Sequence, residues 1–186
     1  MTDADPRVKI IMTDGEIATA LDSLATAICE GHSGENTIYL LGILSRGRPL
    51  ADRIAQRIEK LSGIVPRVGS LATTLYRDDI RSGKVSLKLG GSETHFDFDV
   101  DGNSIVLVDD VLKSGRTVRA ALDEVMDYGR PSRIQLACLI DRGLREIPIQ
   151  ADYLGKSIQT LESDHVQVKL EELDGEDSVV LTQLKR

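Results

Sequence analysis

The sequence predicts an α/β fold with a mainly parallel central sheet flanked by helices. Continuous apolar runs at 36–44, 105–108 and 132–140 are typical of strands that are buried on both faces. Amphipathic helix patterns follow the first two runs, at 49–61 and 117–128. This alternation favours a parallel sheet, because each helix carries the chain back to start the next strand.

The first predicted helix begins at Thr13–Glu16, which has the pattern of a capping box. Apolar residues then recur at helical spacing, and Gly31 ends the helix. The recurring residues are Ile17, Leu21, Leu24 and Ile28. The helix at 49–61 carries Pro49 in its first turn, where the missing N–H costs no hydrogen bond.

The remaining segments are assigned from alternation and from turn residues. The stretch 67–77 alternates well enough to be a strand, whereas 78–98 mixes charge with glycine and predicts a mobile loop or two irregular strands. Gly129 closes the helix at 117–128, and alternation after Glu162 predicts one late strand followed by a short tail. We expect a single domain over 1–186.

Composition limits the classes of protein to which the chain can belong. Its 186 residues, 41% of them hydrophobic, suffice for one domain with a sizeable core. The formal net charge of −7 disfavours a general nucleic-acid binder, although it leaves room for a local basic patch. No membrane-span-like run and no signal peptide are apparent, so we expect a cytoplasmic protein with Cys29 and Cys138 as buried free thiols.

Each of the three apolar runs ends in a polar, loop-forming tripeptide. These tripeptides are Ser45-Arg46-Gly47, Asp109-Asp110-Val111 and Asp141-Arg142-Gly143. In an open α/β sheet, ligands bind outside the carboxyl ends of the strands. The sequence therefore predicts a ligand site where these tripeptides meet.

The loop 112–117 lies directly before a predicted helix, so its backbone N–H groups and the helix dipole favour an anion. Gly115 allows close backbone approach, and the Ser114 and Thr117 hydroxyls add donors. Asp109 and Asp110 would face the group attached to a bound phosphate, and carboxylates accept hydrogen bonds from the vicinal hydroxyls of a ribose. The alternative is that the two acids only cap a turn.

The segment "VLVDDVLKSGRT" (106–117) closely resembles the phosphoribosyl-pyrophosphate (PRPP) motif of type I phosphoribosyltransferases. Further blocks, including "GILSRGRPLADRI", "GRPSRIQLACLIDRG" and "ADYLGK", are similar to successive blocks of the PyrR family. That family comprises bifunctional pyrimidine operon regulators and uracil phosphoribosyltransferases. The resemblance runs from about 14 to about 173, which is nearly the whole chain.

The resemblance implies a type I phosphoribosyltransferase fold with a small hood built mainly from C-terminal segments. It also implies the reaction uracil + PRPP → UMP + pyrophosphate, with Mg²⁺ entering alongside PRPP and no dedicated metal ligands from the protein. The residues expected to bind PRPP are Ser45, Arg46 and Gly47 at the pyrophosphate, Asp109 and Asp110 at the ribose hydroxyls, and Lys113, Ser114, Gly115, Arg116 and Thr117 at the 5′-phosphate.

Arg46 is expected to stabilise the leaving pyrophosphate, and Asp110 is our nominee for a general base. Arg142 and Val166 are expected in the hood around the base, although Arg142 could equally be a structural cation. Arg77 belongs to a segment, Tyr76–Phe96, that is interpreted as a lid or else as a surface loop. The three histidines, His32, His95 and His165, are expected on the solvated surface.

The resemblance further implies UMP as a ligand, a homo-oligomer and an mRNA hairpin as partner, with no membrane association. In the family, basic residues of the first helix and of the stretch after "DRG" form the RNA face. The chain departs from the family at this expected RNA face, because no Lys or Arg occurs between Lys9 and Arg46. After "DRG" only Arg145 and Lys156 remain as basic residues there, which argues against tight RNA binding. Three functions stay open: a uracil phosphoribosyltransferase, an RNA-binding attenuator with weak catalysis, and a purine-base phosphoribosyltransferase.

Overall fold

The structure, a computed structural model, describes residues 7–73 and 94–183. The described residues form eight strands and four helices. In chain order these are β1 (Arg7–Met12), α1 (Asp14–Gly31), β2 (Tyr39–Ile43), α2 (Gly47–Ser62), β3 (Arg67–Leu71), β4 (Ser104–Leu112), α3 (Arg116–Tyr128), β5 (Arg133–Asp141), β6 (Tyr153–Ser157), β7 (His165–Lys169), α4 (Glu171–Asp174) and β8 (Ser178–Gln183).

The central sheet has five strands in the order β3-β2-β4-β5-β6, and all of them are parallel, as the alternation of strands and helices predicts. Successive side chains of β4 point to opposite faces of this sheet. Val106 and Val108 pack with α1 and α2, whereas Ile105 and Leu107 pack with α3. Both faces are therefore covered by helices, which explains why the strands are continuously apolar.

A second, antiparallel sheet with the order β1-β8-β7 forms the hood over one end of the central sheet. Its C-terminal strands match the expectation, and the N-terminal strand β1 completes it. Arg53 of α2 fastens this sheet to the core through ion pairs with Glu172 and Asp177. These acids raise the pKa of Arg53, and the guanidinium in turn lowers the pKa of both carboxyls.

Local predictions are confirmed at several element ends and are wrong at others. The capping box of α1 forms, with the Thr13 N–H donating to the Glu16 carboxylate at 2.9 Å. The late strand is confirmed as β7, whereas the stretch predicted to be a short tail forms α4 and the further strand β8. Strand β6 was not predicted, because five residues with one glycine carry little periodicity.

Both cysteines are free, as expected, but Cys29 is only half-buried, whereas burial was predicted for both. Cys138 is buried beside Asp109 on the neighbouring strand, and burial, together with that carboxylate, raises the pKa of its thiol. Within the described ranges, none of the helices has the length and apolar character needed to cross a bilayer.

Candidate active site

The carboxyl ends of β2, β4 and β5, which are neighbours in the central sheet, meet at one edge. A cleft of about 280 Å³ lies between this edge and the hood. Its polar lining includes Ser45, Arg46, Asp109, Asp110, Thr117, His165 and Gln167. The structure thus brings together two of the three predicted tripeptides with the start of α3 and with β7.

Asp109 and Asp110 lie at the base of the cleft and differ in exposure. Asp109 is buried, and its Oδ1 accepts a hydrogen bond from the Asp110 N–H at 2.9 Å. Asp110 is half-buried and lines the cleft beside it. Strand β4 continues beyond both acids to Leu112, so they lie within the strand and not after it. Their ionised oxygens can accept hydrogen bonds from vicinal hydroxyls in the cleft.

The loop between β4 and α3 encloses a small pocket of about 40 Å³. Lys113, Ser114, Gly115 and Thr117 line this pocket together with Asp109. Gly115 has φ +90°, a left-handed conformation that side-chain-bearing residues rarely adopt. Helix α3 starts at the next residue, so its first-turn N–H groups, which have no intrahelical acceptors, lie at the pocket. This geometry suits a phosphate.

Arg116 differs from the other residues predicted to hold a phosphate. Its guanidinium forms an ion pair with Glu146, and its backbone N–H donates to the Ser114 Oγ at 3.3 Å. It is absent from the residues that line the small pocket. The side chain of Arg116 therefore braces the loop from outside.

Ser45–Gly47, the predicted pyrophosphate loop, connects β2 to α2 after a cis Leu44–Ser45 peptide bond. A Cβ at Gly47 would lie 2.2 Å from the Val108 carbonyl oxygen of β4. Only glycine lets the first residue of α2 approach the strand this closely. Gly47 thus serves close packing beneath the loop that is predicted to bind pyrophosphate.

Arg46 extends from this loop to the hood. Its Nε donates to the Val168 carbonyl at 2.6 Å, and its Nη2 donates to both carboxylate oxygens of Asp174 at 3.0 and 3.2 Å. The cation therefore lines the cleft while it is paired with an acid of α4. An anion that binds Arg46 has to compete with Asp174.

Strand β7 presents a backbone edge to the cleft. Arg46 contacts the Val168 carbonyl, so this carbonyl points away from the partner strand β8. Backbone groups alternate sides along an antiparallel strand, so the N–H and C=O of Val166, two residues earlier, point the same way. Val166 lines the cleft while its side chain is buried in the core. The predicted hood residue thus offers one backbone donor and one acceptor.

Arg142, the second predicted base contact, is absent from the residues that line the cleft. Its guanidinium is buried and donates to the Thr160 hydroxyl at 3.0 Å and to the carbonyls of Leu161 and Asp164 at 3.0 and 2.8 Å. Burial lowers its pKa, and Asp164 opposes this shift. These contacts favour the alternative reading, in which Arg142 is a structural cation that holds the turn before β7.

The histidines fall into different environments. His32 was expected on the surface, but it is buried after α1, where its Nδ1 lies 3.0 Å from a Glu35 carboxylate oxygen. His95 is exposed, as expected. His165 is also exposed, yet it lines the cleft, which sequence reasoning missed; its place beside Val166 on an alternating strand was the available signal. Arg77 and most of the predicted lid lie outside the described residues.

In the described part of the chain, the cleft offers few protein ligands of the kind that Mg²⁺ prefers. The described residues contain no group of three or more His, Cys, Asp or Glu side chains arranged to hold a metal. Asp109 and Asp110 nevertheless supply the hard carboxylate oxygens that Mg²⁺ prefers. This arrangement fits an ion that takes most of its ligands from water and from a bound phosphorylated substrate.

Residues 8–173 match the family described as "Phosphoribosyl transferase domain". A protein of Thermus thermophilus named "Bifunctional protein PyrR" is 49% identical over 171 residues, which cover 92% of this chain and 93% of that protein. A protein of the same name from Clostridioides difficile is 46% identical over 171 residues, which cover 92% and 96% of the two chains.

Solved structures with the same fold have much lower identity. The Trypanosoma cruzi hypoxanthine phosphoribosyl transferase superposes with a TM-score of 0.71 at 17% identity, covering 98% of this chain and 95% of that one. A hypoxanthine-guanine phosphoribosyltransferase from Bacillus anthracis superposes with a TM-score of 0.67 at 16% identity, covering 97% and 99%. At these identities the likeness concerns the fold alone.

Proposed function

The chain belongs to the phosphoribosyltransferase family and, within it, to the PyrR family, and from this premise we propose that it is a uracil phosphoribosyltransferase that forms UMP and pyrophosphate from uracil and PRPP. One observation carries the proposal: a phosphate-sized pocket, a pair of carboxylates and an open strand edge face a single cleft. They lie in the order in which a 5′-phosphate, a ribose and a base are joined.

In the proposed reaction, uracil N1 forms a bond to C1′ of PRPP while the bond from C1′ to pyrophosphate breaks. The loop 113–117 holds the 5′-phosphate, and Asp109 and Asp110 accept hydrogen bonds from the ribose hydroxyls. Positioning of the two reactants and stabilisation of the leaving group account for most of the catalysis. We assign the uracil proton to Asp110, the half-buried carboxylate of the pair. Mg²⁺, bound with PRPP, would neutralise charge on the pyrophosphate.

The base is recognised by the edge of β7 in this proposal. Uracil carries an N3–H donor flanked by two carbonyl acceptors, and Val166 supplies a carbonyl and an N–H on the side that faces the cleft. Backbone groups alone discriminate weakly between bases of similar edge chemistry. The decisive experiment is therefore an activity screen with PRPP against uracil, orotate, hypoxanthine and guanine. Turnover with a purine and none with uracil would refute the proposed base.

Replacing Gly115 with valine is expected to weaken PRPP binding tenfold or more, about 1.4 kcal/mol. The φ of +90° disfavours a β-branched residue, and a Cβ would already contact the Cβ atoms of Ile147 and Ile149 at 3.4 Å, which leaves little room for the two methyl groups of valine. The measurement is PRPP affinity by calorimetry. Gly102→Val is the matched control, because Gly102 has φ +70° at the opposite end of β4. Equal PRPP affinities in the two folded variants would refute the phosphate assignment.

Replacing Asp174 with asparagine is expected to tighten pyrophosphate binding about fivefold. The change removes an anion that competes for Arg46, and a partly exposed ion pair is worth about 1 kcal/mol. Pyrophosphate inhibition of UMP formation measures the effect. Glu176→Gln removes an acid of the same segment that pairs with Lys169, and it should leave the inhibition constant unchanged. Weaker pyrophosphate binding in Asp174→Asn would mean that the acid assists the site.

We also propose that the protein forms homo-oligomers, as its family membership suggests, and that it binds an mRNA hairpin only weakly. The basic residues left at the expected RNA face are engaged within the chain. Lys156 donates to the Ile11 carbonyl at 2.9 Å, and Arg145 is paired with Asp141.

A further inference from the structure

The segment that follows β5 packs against the loop that encloses the small pocket. The backbone N–H groups of Glu146 and Ile147 both donate to the Ser114 carbonyl at 3.0 Å. Ile147 and Ile149 lie against Gly115, at the distance where an added Cβ would touch them. Segment 143–149 is thus the outer wall of the phosphate loop.

Arg145 provides the polar contacts of this wall. Its Nη1 donates to the Lys113 carbonyl at 2.8 Å and lies 3.4 Å from the Leu112 carbonyl oxygen, which also accepts from the Arg142 N–H at 3.1 Å. Its Nε donates to the Ile149 carbonyl at 2.7 Å, and its Nη2 pairs with Asp141. One guanidinium therefore joins the phosphate loop, the end of β5 and the wall itself.

The orientation of these carbonyls determines where the loop N–H groups point. In a planar trans peptide, the C=O and the following N–H point in opposite directions. The carbonyls of Leu112, Lys113 and Ser114 are all held toward the β5 side. The N–H groups that share those three peptides, at 113, 114 and 115, are consequently directed to the opposite side, where the same residues line the small pocket.

We propose that Arg145 is a positioning residue for the 5′-phosphate of PRPP and UMP. It makes no contact with the phosphate; it fixes the peptide planes whose N–H groups bind that phosphate. This inference rests on the proposed function. It also gives a use other than RNA binding to one of the few basic residues after "DRG", since the donors of Arg145 already face carbonyls of the loop.

The test compares two ligands that differ in their need for the loop. UMP carries the 5′-phosphate, whereas pyrophosphate binds at the other end of the cleft. In Arg145→Gln the Kd for UMP is expected to rise about tenfold, with the pyrophosphate inhibition constant within twofold of wild type. Arg145→Lys, which keeps the charge and can reach a carbonyl, should give an intermediate Kd for UMP.

Arg57→Gln is the matched control. Arg57 also combines an ion pair, with Asp22, and a bond to a backbone carbonyl, that of Arg53, but it lies in the later turns of α2 away from the cleft. If the role of Arg145 is purely structural, Arg145→Gln and Arg57→Gln should both have a lower melting temperature. In that case the Kd for UMP and the pyrophosphate inhibition constant of Arg145→Gln should change by the same factor.

The outcomes are distinguishable. A wild-type protein that binds neither UMP nor PRPP would refute the proposed function, and this inference with it. A wild type that binds UMP, with Arg145→Gln inside twofold of Arg57→Gln, would refute the inference alone. If Arg145→Gln does not fold, Arg145→Lys decides: a threefold or larger rise confined to UMP supports the positioning role, and an affinity equal to that of the control overturns it.

Discussion

Replacing both Asp109 and Asp110 with asparagine is expected to lower kcat/KM for UMP formation about a thousandfold. The two carboxylates face the cleft between the phosphate pocket and the hood, and each is proposed to accept a ribose hydroxyl. A hydrogen bond to a charged group contributes about 1.5–3 kcal/mol, so losing two of them costs about 3–6 kcal/mol of transition-state stabilisation. Each single variant should lose a smaller factor.

Steady-state kinetics with varied PRPP measures this effect. Asp152→Asn is a suitable control, because the Asp152 carboxylate accepts a backbone N–H, from Leu136 at 2.8 Å, much as Asp109 accepts that of Asp110. Asparagine keeps the shape and one acceptor oxygen, so folding should survive in all variants. Unaltered kinetics in the double variant would mean that the acids only shape the end of β4.

We expect this protein to bind an attenuation-site mRNA hairpin at least a hundredfold more weakly than a protein that recognises such hairpins tightly. The comparison applies at about 0.15 M salt with UMP present. Helix α1 is acidic on the expected RNA face, with Asp14, Glu16, Asp22 and Glu30 and no basic residue. Each missing phosphate contact removes a counterion-release contribution, and three or four at about 1 kcal/mol each account for two orders of magnitude.

The structure adds to this prediction, because nearby cations already have intramolecular partners. Arg57 pairs with Asp22 of α1, and the Lys156 Nζ lies 3.8 Å from a Glu16 carboxylate oxygen. The measurement is a titration of cognate and scrambled hairpins, each with and without UMP. Nanomolar, UMP-enhanced and cognate-selective binding would contradict the prediction. It would mean that this protein also acts as an mRNA-binding regulator.

The sequence predicts the architecture well because periodicity reports on burial directly. The apolar runs of β2, β4 and β5 and the helical stripes of α2 and α3 are confirmed. The loop between β4 and α3 was predictable for a similar reason: a glycine between a strand and a helix is a local signal, and Gly115 indeed has a positive φ.

What the sequence could not predict is which partner each charged side chain finds. Arg46 and Arg142 both follow apolar runs, yet Arg46 lines the cleft beside Asp174, whereas Arg142 is buried beneath the 160–164 turn. These partners lie far away along the chain, so no local pattern reports them. The imidazole of His32 contacts the nearby Glu35, and Glu35 in turn pairs with Arg133, a residue of β5 that no local pattern connects to this turn.

The strand order of the central sheet has a consequence for where any ligand can bind. From β2 the chain moves outward to β3 over one face, and from β4 it moves outward to β5 over the other. The two connections diverge between β2 and β4, and this topological switch point opens a crevice whatever side chains surround it. Substitutions at Asp109 or Asp110 can therefore abolish catalysis without closing the crevice. A catalytically dead variant should persist as a folded receptor that still accommodates pyrophosphate.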